Sequence, residues 1–470
     1  MLAELEGAHE EVTPVPPDRR RLGSLGIGVL WGDLSVGLLV LVAGSLLVPA
    51  LGLRDAVIAT VVGSIIGSAL LAIAGRVGSD LGVPTMVALR PALGIRGSYV
   101  ASALNVGQLI GWAGLEIIIM SQAARAISDE FFGFDGYYFW LAAFAVIATA
   151  FAVGGPVVVV RDFLQRFGVW IVLAATVWLT YRLFATYDVH ELWNDDGAGG
   201  FPSFWQGMDI AVSLPVSWLP LVADYSRFAR RSTGAAWATF TSYTLGNTWF
   251  FALGAGYALV LASEPVIGND LIFTLVDSLL PLTLGWVFLA VILTDETDNA
   301  FANVYSTAVS LQNLLRISSR YLAVAVGVAA FLFAVSFDVL GYETFLLLIG
   351  GVFVSLFGVL LADYFVARGG RYDADELYIV GGRYWYRGGL NVAGLLAWLA
   401  GFVVYVAAGQ PPWVIEHLSW VADAPSDVTR IGGTLPSFAV SVVAYLLLYR
   451  LFALGEEAPG AGPAEAPARG

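Results

Sequence analysis

The chain has 470 residues, of which 58% are hydrophobic and only 13% charged, and its mean hydropathy is +0.77. That composition belongs to integral membrane proteins, because a soluble domain has no way to cover so much apolar surface. The formal charge of −14 opposes nucleic-acid binding, the lack of cysteine excludes disulfides and thiolate metal sites, and three histidines argue against a His-based metal centre.

The opening segment MLAELEGAHEEVTPVPPDRRR is acidic and contains proline. It lacks the basic start and apolar core of a cleavable signal peptide, so residues 1–21 are expected to form a cytoplasmic tail. A bilayer-spanning helix needs about 20 apolar residues. The hydropathy predicts twelve spans, near 23–51, 55–76, 97–127, 137–154, 164–184, 207–223, 236–262, 283–313, 321–338, 343–366, 389–408 and 433–453. All 23 basic residues are arginine. With the N-terminus inside, most fall in inner loops, among them Arg90, Arg96, Arg161, Arg166, Arg227, Arg230, Arg231, Arg316, Arg320, Arg368, Arg371, Arg383 and Arg387. Basic residues mark the cytoplasmic side, so both termini are expected there, in a cytoplasmic (inner) membrane. Residues 454–470 are small and proline-rich and are predicted to be disordered.

The first span contains GVLWGDLSVG, where Gly28, Gly32 and Gly37 flank Asp33 and Ser35. The sixth contains DIAVSLPVSWLPLVADYSR, interrupted by Pro215 and Pro220. Proline in a helix frees backbone carbonyls, which in lipid are tolerated only against protein or a water-filled cavity. If the chain is two five-helix halves, these two spans hold corresponding places. Interrupted helices at matching places point to a transporter's central site. The plainer alternative is that glycine and proline are common in membrane helices.

The third span contains NVGQLIGWAGLEIIIM. Trp112 and Glu116 are four residues apart and share a helical face, with Asn105 and Gln108 on or near it. An indole plane beside a carboxylate suits a flat, nitrogen-rich ring: the indole stacks on it and the carboxylate accepts its N–H groups. The alternative for Trp112 is packing. The eighth span contains TDETDNAFANVYS, with Asp295, Glu296 and Asp298 in an apolar setting. Acids persist in membranes mainly where they line a cavity or pathway. Were DETDN a loop between two short helices, one arginine cluster, at 227–231 or 316–320, would lie outside. A single crossing at 283–313 keeps both inside and makes LIFTLVDSLLPL a peripheral or re-entrant piece.

GWAGLE, PVSWLPLVADYSRF, FANVYSTAVSLQN and ADYFVARGGRYD, in that order, resemble the nucleobase–cation symporter-1 family of cytosine permeases and hydantoin, allantoin and purine transporters. The likeness runs over roughly residues 20–455 and is closest to the hydroxymethylpyrimidine or cytosine permease branch. It implies an all-α integral membrane fold similar to the sodium-coupled amino-acid transporters. Two inverted five-helix repeats, 22–184 and 207–366, would be followed by two additional helices in 389–453. The resemblance implies that Trp112 holds the substrate ring, that Asn303 contacts it, and that Trp218 is the second aromatic. Glu116 stands where the family often carries glutamine. Asp33, Ser35 and Gln108 complete the candidate substrate set. The family's cation site implies backbone oxygens at the first-helix break, including that of Gly32, with the backbone carbonyl of Thr294 and the side chains of Thr297 and Asp298 from the eighth span. Asp298 replaces a hydroxyl residue there, and a carboxylate can either ligate a small cation or carry a proton. Asp295 and Glu296 are left without a role.

The expected function is import of a nucleobase-like aminopyrimidine, hydroxymethylpyrimidine or cytosine, coupled to Na⁺ by alternating access. The expected partners are that small molecule and the lipid bilayer, with no nucleic acid. No enzyme activity and no organic cofactor are expected, and there is no P-loop pattern and no lysine. The alternatives are an H⁺-coupled carrier for purines, hydantoins or an amino acid and, from another class, a cation channel or membrane sensor.

Overall fold

The computed structural model describes residues 13–154, 169–261, 276–277, 279–315, 317–336, 342–423, 429 and 431–453. They are helical throughout, with two isolated bridges and no strand among the described residues. The principal helices are α1 (Ser24–Asp33), α2 (Leu38–Ser45), α3 (Leu53–Leu81), α4 (Gly97–Phe132), α5 (Tyr137–Gly154), α6 (Val169–Thr186) and α7 (Phe204–Ser217). They continue as α8 (Ser232–Leu261), α9 (Gly285–Gln312), α10 (Ser319–Ser336), α11 (Tyr342–Leu361), α12 (Val392–Gly409) and α13 (Thr434–Ala453). Each of the twelve predicted spans overlaps at least one of these, the first holding both α1 and α2. Among the described residues, seven helices are long and apolar enough to cross a membrane, or eight if the bent α1–α2 pair is one span. Residues 1–12 of the expected tail 1–21, the whole expected tail 454–470, and six of the twelve residues of LIFTLVDSLLPL lie outside the described residues.

Both expected breaks form. The axes of α1 and α2 differ by 56°. Between them Gly37 has φ +150°, a conformation that a side chain disfavours. Helix α7 contains Pro215 and ends at Ser217; a 3₁₀ turn, Leu219–Leu221, and a short helix, Val222–Ser226, follow. The loop reading of DETDN is not what forms. That stretch lies within the continuous helix α9, whose backbone satisfies its own polar groups as a crossing requires.

The helices sort into two packed groups. In one, α3 and α8 pack together, α7 lies on α3, and α1 and α2 lie on α8. In the other, α4, α5, α9 and α10 all pack against one another. Helix α11 lies on α7 and carries α12 and α13 on its other side. Close backbone approach holds the first group: a Cβ at Gly44 would sit 2.7 Å from Phe251 Cα, and one at Gly254 would sit 2.8 Å from the Leu41 carbonyl carbon. Small residues permit such contact where apolar burial against lipid gives little driving force. Gly254→Ala should therefore overpack the α2–α8 contact, cost about 1–3 kcal/mol, and lower the thermal unfolding midpoint in detergent.

Candidate functional site

The two groups meet at the two breaks, and the acids gather there. Helix α9 presents two adjacent stripes. Asp295 and Asp298 are three apart on one face, while Glu296, Asn299 and Asn303 follow one another at helical spacing on the next.

The second stripe lines a cavity with Trp112 and Glu116 of α4, Gly37 and Leu39 at the first break, and Ser217 and Trp218 at the second. Its water-accessible space is about 20 Å³, room for one water molecule. A ring of nucleobase size therefore enters only if these walls part. Trp112 is buried, edge-on to Phe345 at 5.3 Å and to Tyr342 at 6.0 Å. Its indole Nε1 and the amide Nδ2 of Asn303 are buried donors without a hydrogen-bond partner among the described residues. One turn beyond Trp112, the carboxyl of Glu116 lines the same cavity as that of Glu296, and its Oε2 has no hydrogen-bond partner among the described residues. Glu296 accepts from the Leu38 backbone N–H and from Asn299 Nδ2 at 3.4 Å. It thus caps the start of α2, where the helix dipole favours negative charge. Gly37, lacking a side chain, clears its approach: a Cβ there would stand 2.6 Å from Glu296 Oε1.

The first stripe turns to the other side of the break. Asp33, Asp295 and Asp298 place carboxylate oxygens within 4.8 Å of one another. All three are buried, and Asp33 Oδ1 and Oδ2, Asp295 Oδ1 and Oδ2, and Asp298 Oδ1 have no hydrogen-bond partner among the described residues. Buried uncompensated carboxylates are prohibitively costly, so this group requires a bound cation, protons, or both. Its donor set is all hard oxygen, which suits a small cation.

The candidate residues therefore divide. Trp112, Glu116, Trp218 and Asn303 share the cavity, with Trp218 7% exposed and edge-on to Trp31 at 6.1 Å. Gln108 does not line it; its Nε2 donates to Asn105 Oδ1 at 2.9 Å and to the Ser217 carbonyl at 3.0 Å, fastening α4 to the second break. Asp33 stands with the aspartates instead of the ring cavity. Ser35 donates to the Gly32 carbonyl at 2.7 Å, so the hydroxyl and that expected cation ligand engage each other. Thr297 turns its hydroxyl to the Leu293 carbonyl and Met120 Sδ, and Thr294 is exposed and bonded to the Ala290 carbonyl. The Thr297 hydroxyl thus serves its own helix, and Thr294, expected to offer its backbone carbonyl, lies on the exposed side of α9. Asp295 and Glu296 are what the sequence left without a role. Their spacing to Asp298 and to Asn299 was legible, but their partners come from α1, α2 and α4.

A family model described as permease for cytosine/purines, uracil, thiamine, allantoin matches residues 14–423. The chain belongs to this permease family. It is a multi-pass membrane transporter for a small molecule and not an enzyme, and the channel and sensor readings fall away. The permease is similar to the allantoin permease of Bacillus subtilis (strain 168), at 23% identity over 481 residues, 93% of this chain and 92% of that one. It is similar to the cytosine permease of Escherichia coli (strain K12), at 24% identity over 373 residues, covering 76% and 80%. Its fold matches the solved structure of a nucleobase-cation-symport-1 family transporter in a closed conformation with bromovinylhydantoin bound. That match has a TM-score of 0.76 at 19% identity and covers 95% and 96% of the two chains. The all-α transporter fold expected from the sequence is the one the permease adopts.

Proposed function

We propose that this permease imports a nucleobase-like aminopyrimidine, hydroxymethylpyrimidine or cytosine, together with Na⁺, across the cytoplasmic membrane. The observation that carries the reading is the cavity in which the Trp112 indole, the Glu116 and Glu296 carboxyls and the Asn303 amide converge, one helix face away from three aspartates. The indole offers a stacking plane and the carboxyls accept ring N–H groups. Asp33, Asp295 and Asp298 hold the coupling cation. Residues 22–184 and 207–366 are the two repeats, 389–453 supplies the additional helices, and the arginine distribution puts both termini in the cytoplasm. Alternating access is a rocking of the α1–α2–α3–α7–α8 group against the α4–α5–α9–α10 group, since the site has walls from both.

Proton coupling is the second reading, and one observation favours it. Asp33, Asp295 and Asp298 bring buried carboxyl oxygens within 4.8 Å of one another, and like charges so close raise each other's proton affinity, so the group can carry protons in place of a metal cation.

The substrate assignment is tested at Glu116. Glu116→Gln removes charge and adds a donor, so preference should move from amino-bearing rings toward rings with carbonyl edges, such as uracil or hydantoin. Competition of a dozen nucleobases against a bound fluorescent or radiolabelled ligand gives the ranking. An unchanged ranking would mean that Glu116 does not read the ring.

A further inference from the structure

Away from the central cavity, the linker between α11 and α12, residues 368–391, folds against the ends of α12 and α13. Between them lies an open cleft of about 340 Å³. Arg368, Arg383 and Arg387 line it and no carboxylate does; Leu390, Val392 and Phe452 make its apolar wall. A neighbouring cleft of about 420 Å³, sharing Arg368 and Arg383, adds Arg371 and a single acid, Asp373.

The charges are unequally engaged. Arg368 Nε lies 3.0 and 3.1 Å from the two Asp363 oxygens, and its Nη2 donates to Tyr386 Oη at 2.6 Å. Its charge is matched within the fold. Arg383 lies over the ring of buried Tyr384 at 5.9 Å, while Arg368 lies over the same ring at 5.2 Å. Arg383 makes no ion pair among the described residues. Two of the linker's three acids serve backbone groups: Asp373 accepts from the Asp375 N–H at 3.2 Å, and Glu376 from the Arg383 N–H at 3.0 Å. The cleft is therefore positive and ready for an anion, and a guanidinium fork matches phosphate geometry.

Its wall continues onto the surface that faces lipid. Val392, Leu396, Leu399 and Val403 form one stripe along α12, exposed by 41, 47, 57 and 42%. Leu447 and Leu451 do the same on α13, at 57 and 67%. On a bilayer-spanning helix an apolar stripe of this kind matches acyl chains. A free phosphate would use the arginines and leave this continuity without meaning.

We propose that the cleft is a binding site for an anionic phospholipid. The phosphate sits against Arg383, and the acyl chains run along the Val392–Leu396–Leu399 stripe. Basic pockets between membrane helices take lipid headgroups on the same principle. The inference is independent of the transported substrate.

The test uses the full chain purified in detergent, with phosphatidylglycerol, phosphatidylcholine or inorganic phosphate added, and reads the unfolding midpoint and the lipid retained in native mass spectrometry. Phosphatidylglycerol should raise the midpoint by roughly 2–4 °C and be retained. Phosphatidylcholine and phosphate should do neither. Arg383→Gln should lose most of that shift and the retained lipid, with an unchanged midpoint in phosphatidylcholine; Arg383→Lys should keep part of both. Equal stabilisation of wild type and Arg383→Gln by phosphatidylglycerol would overturn the proposal, and so would equal stabilisation by phosphatidylcholine. A full shift from phosphate alone would assign the cleft to a free anion. Should Arg383→Gln not fold, retention of phosphatidylglycerol over phosphatidylcholine by the wild type and by Arg383→Lys decides the matter.

Discussion

Asp298→Asn should uncouple the permease. With Na⁺ as the coupling ion, substrate affinity in the wild type rises when Na⁺ replaces choline, and linkage requires that substrate raise Na⁺ affinity by the same factor. Asp298 supplies one of three buried carboxylates within 4.8 Å of one another. Removing one partner from a buried charge site costs about 2–5 kcal/mol, so Na⁺ affinity should fall by roughly thirtyfold or more. Substrate affinity at saturating Na⁺ should change far less, because the ring cavity is lined by the other face of α9. Asp33→Asn should behave in the same way. If the carrier is H⁺-coupled, Na⁺ leaves binding unaffected at fixed ionic strength and uptake follows the pH gradient. Asp298→Asn then abolishes accumulation while exchange survives. Affinity measured with Na⁺ against choline at two pH values separates the cases. Indifference of the wild type to both ions would remove the aspartates from coupling altogether.

Trp112→Ala should lose about 1–3 kcal/mol of substrate binding, the range found for stacking of a base on an aromatic side chain. Trp112→Phe should lose less, since a smaller ring still offers a stacking face. The closed cavity sharpens this expectation. Trp112 is held edge-on by Phe345 and Tyr342, so its plane is set before a ligand arrives and little ordering cost remains. Isothermal titration with the preferred ligand reads the loss directly. Normal expression with unaltered affinity in Trp112→Ala would leave that side chain a packing residue between α4 and α11.

The structure divides the acidic stretch of α9 in a way that sequence spacing had half announced. Asp295 and Asp298 lie three apart, and Glu296, Asn299 and Asn303 lie three and four apart. Helical geometry alone puts them on two faces. What spacing does not contain is the partner of each face. Asp33 was read as a substrate contact because it sits in a broken helix beside glycines, and the break does form. The 56° bend, however, carries Asp33 toward Asp298 and brings Leu38 N–H, one turn on, to Glu296. Thr297 and Ser35 are expected by position to offer hydroxyls, as a cation ligand and a substrate contact. Both spend them on a nearby backbone carbonyl, an option that Ser and Thr have in helices and in turns.

The sequence by itself determined the class, the helical segments, the two breaks and the family. Each follows from local quantities: twenty-residue apolar runs, proline and glycine inside them, and four ordered motifs. The tertiary structure alone decided which acids face the ring and which face one another. Those relations depend on the rotation of α9 against α1, α2 and α4, and that rotation is set by long-range packing, such as the glycine contacts between α2 and α8. A carboxylate's identity is local, but its cost and its use in a membrane depend on what stands opposite it.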